Sequence, residues 1–353
     1  MPRLVLARHS AALRRTLPPG EQRVGPLAEL PGLLREFGVR PATVLRRVGL
    51  EPTALADREG RIPFAGTGRL LEACVQATNC PHFGLLLGSR WRLDHVGFAG
   101  EVAGSCTSVG QALDMFTSIQ WMNSSGGVAF IGRDSNITSF GYAIFEPGMY
   151  EGVDQAHDLI MAIGVRMLRE LSRREDWAPT EVAISRRRPK DIAPYRKLFR
   201  APVRFDADTN ALHFPAAFEA TRVPGGDEVR RRVLEARIAG VRREELLPQL
   251  HRMIRVAMVF GLTSGDDVAS AMGLTRRTFN RRIAQAGTTF HAALETVRSE
   301  VAQQLLLDTG LPIGEVALAL GYGEPSAFIR AFRRWTMKTP AAWRQETGPA
   351  AGG

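Results

Sequence analysis

The sequence predicts two folds in series: an α+β domain over residues 26–222 and an all-α domain over residues 235–345 built around two helix-turn-helix units. Three observations predict this. In the first part, apolar residues at helical spacing alternate with two sets of short β-rich runs. At "TRVPGGDE", residues 221–228, proline and glycine break the composition, and everything after it reads as helix with short turns, which places the boundary near Pro224. Between residues 266 and 345 one pattern occurs twice: an apolar stripe, a glycine, then a segment with apolar residues on one face and arginines on another.

Residues 1–25 and 346–353 lack a sustained apolar period and are expected to be loose termini. From Pro26 to about Ile119 the spacing is helical, with Leu30, Leu33 and Leu34, then Leu70, Leu71, Cys74 and Val75, then Val109, Leu113 and Phe116. "GGVAFIGRDSNITSFGYAIFEPG" holds two β-rich runs around "RDSN" and predicts a hairpin. "QAHDLIMAIGVRMLRELSRR" returns to helix, placing Leu159, Ile163, Met167 and Leu171 on one face and basic residues at its C-terminal end, where they complement the helix dipole. "TEVAIS" and "APVRFDADTNALHF" are again β-like, with helical "DIAPYRKLF" before the second.

In "IGEVALALGYGEPSAFIRAFRRW", Ile313, Val316, Ala317 and Leu320 recur at helical spacing until Gly321 stops the helix. Pro325 suits the first turn of the next helix, where its missing N–H breaks no intrahelical bond. Phe328, Phe332 and Trp335 then form an inward face, and Ser326, Arg330 and Arg333 form an outward one. About fifty residues earlier, in "DDVASAMGLTRRTFNRRIAQAG", Val268, Ala269 and Met272 precede Gly273, Thr275 suits an N-cap, and Phe279 and Ile283 face inward. The remaining positions of that helix hold Arg276, Arg277, Asn280 and Arg281. Stretches 276–282 and 330–338 each carry four basic residues and no acidic one, which is the local charge that approach to phosphate requires.

The chain of 353 residues carries a formal charge of +10, which favours a polyanionic partner without specifying a fold. Its three cysteines, Cys74, Cys80 and Cys106, form no C-x-x-C pair, so neither a disulfide framework nor a cysteine zinc site is expected, and a reducing cytoplasm fits. The opening "MPRLVLARHSAALRR" has too short an apolar run for a signal peptide, and no stretch is apolar enough to span a membrane. No metal or other cofactor is expected.

"FHAALETVRSEVAQQLLLD" predicts a linking helix of about nineteen residues, roughly 28 Å long, near the ~34 Å between successive major-groove faces of a duplex. Residues 262–345 resemble the AraC/XylS family of bacterial transcription regulators: "VRSEVAQQLLLDTGLPIGEVALALGYGEPSAFIRAFRRWTMKTPAAWR" is similar to the family signature. The match runs through Arg298, Ala302, Ile313, Gly321, Ser326, Phe328, Arg330, Phe332 and the ending from Pro340 to Arg344. Tyr322 stands where phenylalanine is usual, and Gly323–Glu324–Pro325 departs from the pattern at the start of the second recognition helix. The resemblance implies DNA contact by Arg276, Arg277, Thr278, Asn280, Arg281, Ser326, Ala327, Arg330, Arg333 and Arg334. It also implies double-stranded promoter DNA and RNA polymerase as partners, and a homodimer.

Residues 26–222 resemble the arabinose-binding-type sensor domain of regulators akin to those of ornithine catabolism, through "GFAGEVAGSCTSVGQALDMF" and "EVAISRRRPKDIAPYRKLFRAPVRFDADTNALHF". This implies a ligand-sensing or dimerising domain without catalysis, responding to a small-molecule effector. Trp121, Tyr142 and His157 are the candidate ligand contacts, although packing explains each as well. "SRRRPK", residues 185–190, has the charge to bind an anionic ligand or DNA phosphate, but is expected to be a solvated charge run.

The competing class is an enzyme fused to such a DNA-binding domain. No G-x-S-x-G elbow, H-E-x-x-H helix or glycine-rich phosphate loop is present, and "NCPHF" has the wrong order for an alkyltransferase Pro-Cys-His motif. Cys106 in "AGSCTSVG" is the candidate nucleophile of an amidase-like domain, against its reading as a buried small hydrophobe. The expectation is a cytoplasmic, sequence-specific transcription activator that responds to a small metabolite.

Overall fold

The computed structural model describes residues 20–144, 151–259, 263–271, 276–309 and 311–347, together with Leu13 and Gly261. The chain divides into two compact units, Pro19–Gly240 and Val241–Gly353.

The first unit opens with β1 (Glu21–Arg23), α1 (Leu30–Glu36), α2 (Pro41–Arg47), β2 (Arg61–Pro63), α3 (Phe64–Thr78), α4 (Phe83–Ser89), α5 (Phe98–Ser105) and α6 (Val109–Ile119). The start of α6 is set by Ser108, whose hydroxyl accepts the Gln111 N–H at 3.2 Å, a cap that satisfies an otherwise orphan donor. The hairpin follows as β3 (Gly127–Arg133) and β4 (Ile137–Ile144), in register from Gly127 opposite Ile144 to Arg133 opposite Thr138. Asp134 turns the chain between them, its carboxylate accepting from the Asn136 and Ile137 N–H groups at 2.9 and 2.7 Å.

After α7 (Val153–Ser172) come β5 (Glu181–Ala183), α8 (Ala193–Phe199), β6 (Val203–Arg204) and β7 (Asn210–Pro215). These strands complete a five-stranded sheet in the order β3-β4-β7-β5-β6, in which only β5 and β6 run parallel.

Two expectations are corrected. Glu21–Arg23 is not part of a loose terminus: it pairs antiparallel with β2, and buried Arg23 pairs with Glu59 and donates to the His95 carbonyl at 2.6 Å. "APVRFDADTNALHF" is two strands rather than one, because Asp206 at φ 54° turns the chain and β5 lies between β6 and β7.

Helix α7 is the hub of the unit. Its amphipathic pattern buries Leu159, Met167 and Leu171, and Ile163 is partly buried. Ala156 and Leu159 join the helical core of α1–α4, while Val165, Met167, Leu168 and Leu171 join the core beneath the sheet. Close approach to α4 requires glycine: a Cβ at Gly84 would lie 2.1 Å from the Gln155 carbonyl oxygen, and one at Gly88 would lie 2.5 Å from that of Leu159.

Helix α9 (Glu228–Val259) follows, and the division between the units falls within its length. The rest of the second unit is α10 (Gly265–Ala271), α11 (Arg276–Gln285), α12 (Phe290–Asp308), α13 (Ile313–Ala319), α14 (Pro325–Thr336) and α15 (Pro340–Thr347). Ser264 and Asp267 cap α10 reciprocally, the Asp267 N–H donating to the serine hydroxyl at 3.1 Å and that hydroxyl donating to the carboxylate at 2.5 Å. Helix α12 has the nineteen residues the spacing predicts and is capped by Thr289, which accepts from the Ala292 N–H at 3.1 Å. Gly321 sits at φ 77° just past α13, and Pro325 opens α14. Met272, Gly273 and Thr275 lie outside the described residues.

Candidate nucleic-acid interface and N-terminal cavity

Each recognition helix is anchored by its apolar face. On α11, Phe279 and Ile283 are buried, and the Phe279 ring meets Phe290 of α12 at 5.8 Å. On α14, Phe328 and Phe332 are fully buried; Phe332 contacts Phe328, Trp335 and Trp343 with centroids 5.7, 6.3 and 6.0 Å apart. Trp335, expected in the core, is only partly buried, because its indole N–H reaches out to donate to Glu295 at 3.2 Å.

With those faces fixed, Arg276, Arg277, Asn280 and Arg281 are exposed on α11, and Ser326, Arg330, Arg333 and Arg334 are exposed on α14. Ala327 is partly buried, and the Thr278 side chain lies outside the described residues. Two of the arginines already hold carboxylates: Arg276 lies 3.6 Å from Asp266, and Arg334 lies 2.6 Å from Glu295. The Arg276–Asp266 pair is exposed on both sides and contributes little stability, whereas Glu295 is largely buried and is also held by Arg298 and Trp335.

Arginines that the charge pattern did not separate from these serve the frame. Arg298 of α12 donates to the Leu320 carbonyl at 3.0 Å, stacks on the Tyr322 ring at 4.7 Å and lies 3.6 Å from Glu295. Arg344 of α15 donates to the Leu306 and Leu311 carbonyls at 3.2 and 2.7 Å. Both satisfy carbonyls that helix ends leave orphaned, a role visible only once α13 and α15 are packed on α12.

In the first unit a cavity of about 100 Å³ lies among α3, α6, α7, β3 and β4. Tyr142 lines it, and the phenol donates to Ser124 at 3.1 Å while accepting from the Gln120 amide at 3.0 Å. The Trp121 side chain lies outside the described residues. His157 does not line the cavity: its Nδ1 lies 3.3 Å from the Ser185 hydroxyl, on another side of α7. Thr67 and Trp91, which no local pattern in the sequence marks, also line the cavity.

The "SRRRPK" run is also corrected. Arg187, Arg188 and Lys190 are exposed, but Arg186 is buried against Asp158, because that carboxylate on α7 is itself fully buried and requires a cation. Tyr195 of α8 completes the cluster, donating to Asp158 at 2.7 Å and accepting from Arg186 at 2.6 Å. Burial pushes the Asp158 carboxyl up to about 7, against the pull of Arg186 and Tyr195.

Burial, and then the charge of Arg186, hold the neighbouring His157 imidazole down to about 4. The unfolded histidine protonates near ~6.5, so His157 supports folding above that pH and withdraws the support as pH falls towards 4. His157→Asn is therefore expected to gain stability relative to the parent between pH 6.5 and 4.5. Urea denaturation at both pH values reads this, and a constant difference would show that His157 titrates normally.

Two helix-turn-helix units, aromatic on their inner faces and arginine-bearing on their outer ones, define a DNA-binding transcription regulator. Comparison with known proteins agrees at each unit. The arabinose-binding N-terminal domain of AraC transcription regulators matches residues 38–223, and a helix-turn-helix domain matches residues 268–346. The chain belongs to the AraC family of transcription regulators. It is 28% identical over 341 residues to the regulator VirS of Mycobacterium tuberculosis, covering 90% of this chain and 94% of VirS. With the ornithine utilization regulator of Pseudomonas aeruginosa it shares 23% identity over 317 residues, 89% of this chain and 93% of the relative. The crystal structure of the regulator CdpR from Pseudomonas aeruginosa aligns with a TM-score of 0.45 at 23% identity, over 86% of this chain and 97% of CdpR.

Proposed function

We propose that this protein is a cytoplasmic transcription activator that inserts α11 and α14 into successive major grooves of promoter DNA and responds to a small metabolite held in its first unit. Sensing is assigned to residues 26–222 and DNA reading to residues 235–345, with binding as a homodimer and contact to RNA polymerase. The observation that carries the reading is the pair of exposed faces, Arg276, Arg277 and Arg281 on α11 and Arg330, Arg333 and Arg334 on α14, each backed by a buried aromatic anchor. Metabolite binding shifts activity only by favouring the DNA-competent arrangement over the other. The protein acts by binding rather than catalysis. Cys106, the candidate nucleophile, is fully buried and its thiol is pushed up to about 12 by burial, the environment of an inert cysteine.

Genomic DNA captured by the purified protein identifies its operator, and transcription from that promoter in vitro tests activation. On that operator, Arg330→Ala is expected to weaken binding roughly 5- to 150-fold if the guanidinium reads a base, with the melting temperature unchanged. A phosphate contact instead reduces the salt dependence by about one ion. Unchanged affinity and unchanged salt slope would remove Arg330 from the interface.

A further inference from the structure

The lining of the N-terminal cavity specifies a ligand chemistry. Among the described residues no charged side chain lines it; the walls are apolar residues such as Phe64, Phe116, Phe140, Leu159 and Met167. Of its polar groups, Gln120, Ser124 and Tyr142 bond to one another, and the Gln22 amide donates to the Arg23 carbonyl at 2.9 Å. Two others have no protein partner: the indole N–H of Trp91 and the hydroxyl of Thr67, on side chains 1% and 4% exposed. An indole N–H is a donor only, so what satisfies it is an acceptor. Buried polar groups without a partner are rare in folded proteins, and two lining one cavity point to what enters it.

We propose that the effector is a neutral, mainly apolar molecule bearing a carbonyl oxygen, of the short-chain ketone, ester or lactone class. This rests on the effector-binding reading above. A carboxylate or a zwitterion such as an amino acid would be buried in this cavity without a counter-ion, and a sugar would bring more hydroxyls than the walls can match. Size sets a further limit, since about 100 Å³ is somewhat less than the ~150 Å³ of a dry protein cavity that accepts benzene. The carbonyl oxygen accepts from Trp91 and Thr67, and the alkyl part lies along Phe116, Phe140 and Met167.

The test uses the full chain in calorimetric titration and thermal unfolding with 2-pentanone, 2-hexanone and 2-heptanone, set against hexanoate, L-arabinose and L-ornithine. The ketones are expected to bind, the affinity rising about fourfold per methylene until the cavity is full, and the three charged or polyhydroxyl probes are expected to have no effect. Trp91→Phe should weaken ketone binding roughly five- to tenfold while leaving the gain in affinity per methylene across the ketone series unchanged. Thr67→Val supplies the same comparison where the tryptophan variant folds poorly. Binding of hexanoate, arabinose or ornithine in preference to the ketones, or of none of the six, overturns the ligand class. Operator binding by the same preparation separates the two readings: loss of sequence-selective DNA binding counts against the regulator assignment, whereas intact operator binding with the wrong probe specificity counts against the ligand class alone.

Discussion

Phe332→Ala is expected to destabilise the second unit by about 3–5 kcal/mol, the usual loss when a fully buried phenylalanine is truncated. Phe332 is fully buried, and its ring joins α14 to itself through Phe328 and Trp335 and to α15 through Trp343. The loss is local, so amide hydrogen exchange is the suitable measurement. Protection should fall across α14 and α15 while the amides of α7 keep theirs. Operator affinity should fall with it, because the arginines of α14 are aimed only while the opposite face is packed. Unchanged exchange in α14 would show that Phe332 does not anchor the helix.

Arg186→Met should destabilise the first unit by about 3–5 kcal/mol at pH 8, since it leaves the fully buried Asp158 carboxylate without its cation. The deficit should shrink with acid. A carboxyl whose folded pKa is raised, already about 7 in the parent, contributes stability that is complete below its unfolded value near ~4 and lost as pH rises through the folded value. Without Arg186 the folded value rises further, so the variant is penalised most in alkali and least near pH 4. Asp158→Leu combined with Arg186→Met should recover much of the loss, as paired removal leaves no isolated charge. Equilibrium unfolding of parent, single and double variants reads all three expectations, and a single variant within about 1 kcal/mol of the parent at pH 8 would mean the pair is solvated.

The elements that sequence spacing reveals are those with long, one-sided patterns. Helices α7, α12 and α14 bury one face over two or more repeats, so their periodicity survives in the residues themselves, whereas the β3–β4 hairpin is marked by two β-rich runs around the Asp134 turn. Strands β1 and β2, three residues each, are too short for any period, and tertiary pairing alone makes them strands. Charge was legible as composition but not as role. Arg186 and Arg187 are adjacent and identical in sequence, yet one is buried by a partner 28 residues earlier and the other faces solvent. Arg298 and Arg344 likewise resemble the arginines of the outer faces until their carbonyl acceptors are known. The cavity was the least legible, because Thr67, Trp91 and Tyr142 meet only after three separate segments have packed.

Clamped by Phe279–Phe290 near its start, by Arg298 to Leu320 in its middle and by Arg344 to Leu306 at its end, α12 acts as a stiff ruler. A stiff ruler measures the gap in the operator as well as its letters. One base pair inserted between the two contacted segments displaces the second by roughly 3.4 Å and turns it by about 35° around the duplex. Neither adjustment is available to a helix held at three points, so under the proposed two-helix reading the protein is expected to reject mis-spaced sites whose every contacted base is correct.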